Sequence, residues 1–446
     1  MKRLVIALGA AALFALLLSV RSSAQELKSA YFLDDYVYKY EINPAMHDAK
    51  NTQVFVGFGL NDIGIKAQTN IGVNNFLFPV DGQLLLFMND KISKEKFLSG
   101  IPDAGAIANL DFNLSLLSFG FKIGKHGFLS FDTRLRSATN AGLSKDFFGQ
   151  LKGIQISSSK GTHYEFQSVG LTNQEILEQS VSGSFEVAKN LRLGITLKGM
   201  MGLAAAAAKA ENVCVDFVDD DVAVASANTE MYLASKLVSF PKTADGYDFE
   251  HPAIGKFGLA GFGGAVDLGI SWESDFGLDL SAAVLDLGAM MWNKNLSGSK
   301  VLDHQTMEGE NVTDYVNQVF GITDVPQKSV DMLAPTVNGC VRYHMPFYKG
   351  LSVGFEGSYT FKTKRYDARL GLTLSPARWF SVTANYGWTD FGATFGAAMN
   401  LRPGPFTFFV GAETCFYKFT PQGLPVGPLN TTAKLGVLIS VKTKKS

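Results

Sequence analysis

Three cysteines, six histidines and scattered carboxylates are the side chains that could do chemistry, and their spacing along the chain gives none of them an evident partner. Cys214, Cys340 and Cys415 are too few and too far apart for a disulfide framework, and an odd number leaves at least one free thiol. His47, His126, His163, His251, His304 and His344 are not clustered. With no C-x-x-C and no H-E-x-x-H, the sequence implies no metal and no cofactor. No Ser-based elbow of the G-x-S-x-G type stands out, and His344 beside Arg342 at a strand end reads as an interfacial or interior residue rather than a base, so catalysis is not expected. Asp219-Asp220-Asp221 and residues 303–310 read as solvated acidic loops, lacking the ligand spacing of a calcium loop. A net charge of −1 gives no basic footprint, so no nucleic-acid partner is expected.

What remains is a set of charged residues inside otherwise apolar, alternating segments. Charged residues make up 18% of the 446-residue chain, against about 25% in soluble proteins. Gly (45) and Phe (35) are abundant, yet after the N-terminus no apolar run approaches the roughly 18 residues of a membrane helix. In residues 351–361 the odd positions are Leu, Val, Phe, Gly, Tyr and Phe, while the even ones are Ser, Gly, Glu, Ser and Thr. The same period of two recurs in residues 366–374, 380–388, 391–401, 406–417 and 431–441. Only every second residue of a barrel strand meets lipid, so this composition fits a transmembrane antiparallel β-barrel. Strands are expected near 52–71, 109–123, 126–136, 178–188, 191–203, 258–273, 277–288, 334–344, 351–361, 366–374, 379–388, 391–401, 406–417 and 431–442, about 14 in all, an even number as closure requires. Sixteen would follow if residues 212–217 and 229–237 joined the wall. Asn61-Asp62 is either a hairpin or a bulge in one long strand.

Tight connections rich in Gly, Pro, Asn or Ser alternate with long ones at residues 72–109, 137–179, 204–257 and 289–333. That asymmetry puts the short turns on the periplasmic side. Trp272 and Trp379 beside short turns, with Trp292 and Trp388 towards the other side, fit two interfacial girdles. Short helices are expected at residues 91–98, 144–151 and 311–320. Residues 1–24 read as a cleavable signal peptide, with Lys2 and Arg3 before an apolar stretch and Ser22-Ser23-Ala24 before Gln25, which implies export to a bacterial outer membrane.

Lys or Arg facing lipid at the midplane costs about 2 to 4 kcal/mol. The alternation accordingly turns Asp132, Arg134, Arg136, Arg192, Lys198, Glu356, Asp367, Arg369, Glu413 and Lys434 into the lumen. Both signs are represented, which suits neutralised ion pairs and a partly filled interior, with an open aqueous channel as the rival. Residues 25–51 do not alternate and are rich in Tyr and Phe; they read as a plug folded into the barrel of residues 52–446, with a periplasmic cap or a disordered lead as the alternative.

Asn43-Pro44-Ala45, Gly263-Gly264-Ala265-Val266-Asp267-Leu268-Gly269, Val284-Leu285-Asp286-Leu287-Gly288 with Trp292, and Arg402-Pro403-Gly404-Pro405-Phe406 together resemble a Bacteroidetes-type family of outer-membrane barrels of unknown function. That family is distantly similar to the FadL long-chain fatty acid transporters and the PorV secretion barrel. The resemblance implies a hatch containing Asn43, Pro44 and Ala45. It also implies matching strand positions for Asp267, in the lumen, and for Asp286, Leu287 and Gly288, and passage of hydrophobic compounds through a lateral opening. Simple alternation would turn Asp286 outward, so a bulge is expected near Leu285. The function implied is passive transport of small hydrophobic or amphipathic compounds, with membrane lipid around the barrel. The alternative is an assembly barrel that binds a protein partner through its extracellular loops.

Overall fold

The computed structural model describes residues 27–47, 52–152, 161, 163–219, 222–244, 246–308, 312–323, 327–415 and 427–442. The expected signal peptide and Asp220-Asp221 lie outside these residues. Fourteen strands form the closed wall: β1 (Thr52–Thr69), β2 (Ala106–Ile123), β3 (Gly127–Leu143), β4 (His163–Ala188), β5 (Leu191–Phe217), β6 (Gly261–Glu273), β7 (Leu278–Lys294), β8 (Thr336–His344), β9 (Leu351–Thr360), β10 (Arg365–Ala377), β11 (Phe380–Thr389), β12 (Gly392–Leu401), β13 (Phe406–Cys415) and β14 (Leu429–Lys442). Each pairs antiparallel with its neighbours, and β1 pairs with both β2 and β14, so the sheet has no free edge there. Among the described residues no helix is long and apolar enough to cross a membrane, which says nothing of the strands.

The wall sorts its side chains as hydrocarbon demands. Phe355, Leu370, Tyr386, Phe395, Val410 and Leu435 are exposed on the outside, while Glu356, Arg369, Asn385, Thr394, Glu413 and Lys434 are buried within. Residues 61–62 lie inside one continuous β1, as a bulge. The wall has 14 strands rather than 16, because residues 212–217 continue β5 and Val222–Ser235 turns back on them.

The far ends of the longer strands depart from the sequence reading. Much of what reads as long loop is strand: β4 and β5 run 26 and 27 residues and pair almost throughout. Beyond Gly202, β5 leaves β6 and pairs with Val222–Ser235, which pairs in turn with Leu296–Glu308. Past the membrane neither face meets lipid, so the apolar-polar contrast fades while the backbone ladder continues. Trp292 is also corrected. It points inward, fully buried, in space left by Gly202 and Gly261 and beside the small residues Ala205 and Ala207, so it belongs to no girdle. Trp388 and Trp379 are exposed on the outside. Three short helices, α1 (Lys94–Leu98), α2 (Lys145–Leu151) and α3 (Val312–Phe320), sit in the long connections.

Candidate functional site

Residues 27–47 occupy the bore. Two 3₁₀ turns, Lys28–Tyr31 and Val37–Glu41, have too few internal hydrogen bonds to satisfy their backbone, so the wall's inward polar groups do it. Ser29 donates through its amide (2.5 Å) and hydroxyl (2.7 Å) to Glu413 Oε1. Thr373 donates to the Phe32 carbonyl at 2.8 Å, Asn400 to that of Asp35 at 2.9 Å, and Asn338 to that of Ile42 at 3.0 Å. Apolar side chains fill the space between these anchors. Tyr36 meets Phe409 edge-on at 4.9 Å, Tyr38 packs on Phe55 and Phe409, and Phe32 lies over Gly354 and Gly371, where a Cβ would intrude.

Asn43-Pro44-Ala45 makes the tightest seat. Asn43 Nδ2 donates to the carbonyls of Ile270 and Ala282, both at 3.1 Å, and its Oδ1 accepts from the Ala45 amide at 2.9 Å. A Cβ on Gly194 would strike the Pro44 backbone, and one on Gly269 the Asn43 side chain, so two wall glycines form the imprint of this turn. His47 follows. Its Nδ1 donates to the Pro44 carbonyl (3.0 Å), which fixes the other nitrogen as acceptor from Ser130 (3.1 Å). Burial dominates this ring's titration and pushes its pKa down to about 3. Burial alone would raise the Asp34 carboxyl. The Arg342 guanidinium, with Lys39 and the Ser375 hydroxyl, outweighs it and holds Asp34 down to about 2.

The charged residues gather in two kinds of cluster. Arg136 bridges Glu178 (2.5 Å) and Asp286 (3.1 Å), and Lys198 bridges Asp286 and Asp267, each at 2.7 Å. The β6–β7 register slips at Asp267. Asp286 takes a left-handed φ of 57°, which turns it inward, and its amide donates to Asp267 at 2.7 Å. Leu287 then faces outward, and Gly288 lies against the backbone of Gly264 and Ala265. The second kind joins wall to inner segment. Lys434 (2.8 Å) and Arg134 hold Glu41, Arg342 holds Asp34 at 2.7 Å, Tyr40 donates to Asp132 at 2.7 Å, and Lys28 lies 3.4 Å from Glu356. Arg369 joins Asp367 (2.6 Å) and Glu413 (2.8 Å), and Arg192 donates to Ser184 at 2.7 Å. Sequence reasoning missed Glu178, Asp62, Asp279 and Arg342, although Glu178 shares the inward parity of β4. Asp34 and Glu41 sit in a segment without periodicity, where no signal marked them.

The wall is least regular behind this filling. Between Val56 and Asp62, β1 spends six steps where β14 takes three from Ile439 to Gly436, the largest mismatch in the described barrel. Gly59 adopts φ 76°, and Phe58 projects outward, 84% exposed. On the inside, Asn61 Nδ2 donates to Tyr38 Oη (2.7 Å) and Ser118 Oγ (3.0 Å), so one amide joins the bulge to the inner segment. Towards the short turns a cavity of about 780 Å³ opens between the inner segment and the wall, lined by Asp34, His47, Arg192, Trp272, Asp279 and Arg342 among others.

A model of the family of unknown function DUF5723 matches residues 44–413, from the Pro44 turn to Glu413. The chain belongs to that family. No curated protein matches it. Among solved structures, this DUF5723 barrel is similar to the toluene transporter TbuX of Ralstonia pickettii (9% identity, 91% of this chain and 94% of the other, TM-score 0.46). It is also similar to a FadL homologue of Pseudomonas aeruginosa (11% identity, 89% and 92%, TM-score 0.41) and the toluene transporter TodX of Pseudomonas putida (9% identity, 91% and 93%, TM-score 0.42).

Within this DUF5723 member two groups with basic or nucleophilic character, His344 and Ser352, have structural places. His344 contacts Asp279 (3.0 Å) beside Arg342 at the cavity mouth. Gly350–Gly354 matches G-x-S-x-G in letters, but Ser352 is a buried residue of β9 with no helix after it, so it forms no nucleophile elbow.

Proposed function

We propose that the protein is an outer-membrane conduit for small hydrophobic or amphipathic compounds, held closed here by residues 27–47. The observation that carries this reading is the broken β1–β14 pairing, with Phe58, Val437 and Ile439 exposed outside it and Tyr38, Phe409 and Leu438 buried within. Apolar side chains on both sides of a gap in the ladder offer an oily solute a path from lipid to the bore that avoids the ion pairs. Asn61, bonded to Tyr38, couples that path to the inner segment. The test is uptake of labelled fatty acids and aromatic hydrocarbons by cells with and without the gene. Faster uptake of at least one class with the gene, reduced by deleting residues 59–61 at unchanged barrel level, is expected. Equal uptake across the panel removes the proposal.

A second reading, a barrel that binds a protein partner, is favoured by Leu84, Ile254, Phe257 and Val301, large apolar side chains exposed in or beside the extramembrane connections. Crosslinking in intact outer membranes separates the two: a chain recovered alone argues against a partner.

A further inference from the structure

The far end of the β4–β5 hairpin brings together residues that the sequence keeps about fifty positions apart. His163 pairs with Asp216 and Glu165 with Cys214 across the ladder, so all four stand on one face at alternate positions. The opposite face carries Phe166, Val213 and Val215, packed into an apolar cluster. One ligand atom each from His163, Cys214 and Asp216 lies within 4.8 Å of the others. His163 Nδ1 is 2.7 Å from Asp216 Oδ1, His163 Nε2 is 3.9 Å from Glu165, and Cys214 Sγ is 4.0 Å from Asp216 Oδ2. Cys214 is a free thiol, half-buried; His163 and Asp216 are exposed.

We propose that His163, Cys214 and Asp216, with Glu165 beside them, bind a divalent transition metal of the Zn²⁺ class. An imidazole, a thiolate and a carboxylate are the donors such an ion takes, whereas Ca²⁺ and Mg²⁺ select all-oxygen sets. Modest rotamer changes bring these atoms from their present spacing to a common ion. Two features prearrange them. The strand carrying Cys214 and Asp216 is paired on both sides, Cys214 opposite Ser226 and Asp216 opposite Val224 as well as their β4 partners. The site also lies some 25 residues from the short turn at Asn190, at about 3.3 Å per residue well past the roughly 25 Å apolar band, so it meets water rather than lipid.

The experiment titrates Co²⁺ into untagged full-length protein in detergent and follows the near-ultraviolet thiolate-to-Co²⁺ charge-transfer band, then displaces Co²⁺ with Zn²⁺. A saturable band at one equivalent is expected, abolished by Cys214→Ser, with affinity weakened at least about tenfold by His163→Ala. Both side chains lie outside the barrel core, so folding, checked by the heat-dependent gel shift of the barrel, is retained. A missing band, one that survives Cys214→Ser, or unchanged affinity in His163→Ala overturns the proposal.

Discussion

The two kinds of buried ion cluster divide the labour of the bore. Arg136, Glu178, Lys198, Asp267 and Asp286 all come from β3 to β7 and pair with one another within the wall. Arg342 with Asp34, and Lys434 and Arg134 with Glu41, each join a strand to the inner segment. The first arrangement ties neighbouring strands into one sheet. The second holds a separate piece of chain against the wall. The same side-chain types therefore tie strand to strand in one set and strand to inner segment in the other.

The largest effect is expected from Asp286→Ala, which leaves Arg136 and Lys198 buried without their shared anion and costs about 3–5 kcal/mol of barrel stability. Urea unfolding in detergent checks it, and a change confined to residues 27–47 breaks the division drawn above. Asp34→Asn removes the charge that Arg342 and Ser375 hold and weakens the inner segment by about 1.5–3 kcal/mol. Hydrogen exchange then rises in residues 28–46 while the strands stay protected. Gly194→Ala pushes a methyl into the Pro44 backbone and costs about 1–3 kcal/mol, seen as exchange localised to residues 43–47. Mild acidification has the smallest effect. His47 belongs to the inner segment, not to a strand, and its folded pKa lies below the ordinary 6.5, at about 3. Its neutral form thus stabilises the closed state fully above about 6.5, and that contribution is lost as pH falls from there towards 3. Exchange of residues 27–47, corrected for the intrinsic rate, should climb over that window and flatten in His47→Gln.

The C-terminal half was the more legible. From β8 to β14 the strands are short, each outward residue meets hydrocarbon, and the period of two stands out, as in Leu351–Thr360. In β4 and β5 the ladder runs on into water, where Glu165, Asn173 and Ala204–Ala208 give no contrast, and the sequence reads as loop what is strand. Residues such as Arg136, Lys198 and Glu413 could be assigned inward from parity alone. Their partners could not, because parity says which face a side chain shares and nothing about who stands opposite across the lumen.

By itself the sequence determined that the chain closes into a barrel with a polar interior, because hydrocarbon leaves backbone groups no other partners and admits charge only on the inner face. Only the tertiary structure decided which charges neutralise which, that residues 27–47 are gripped at Gly194 and Gly269, and that His163 and Cys214 meet. Those contacts depend on register, bulges and curvature, which join residues far apart in the chain and leave no periodic trace along it.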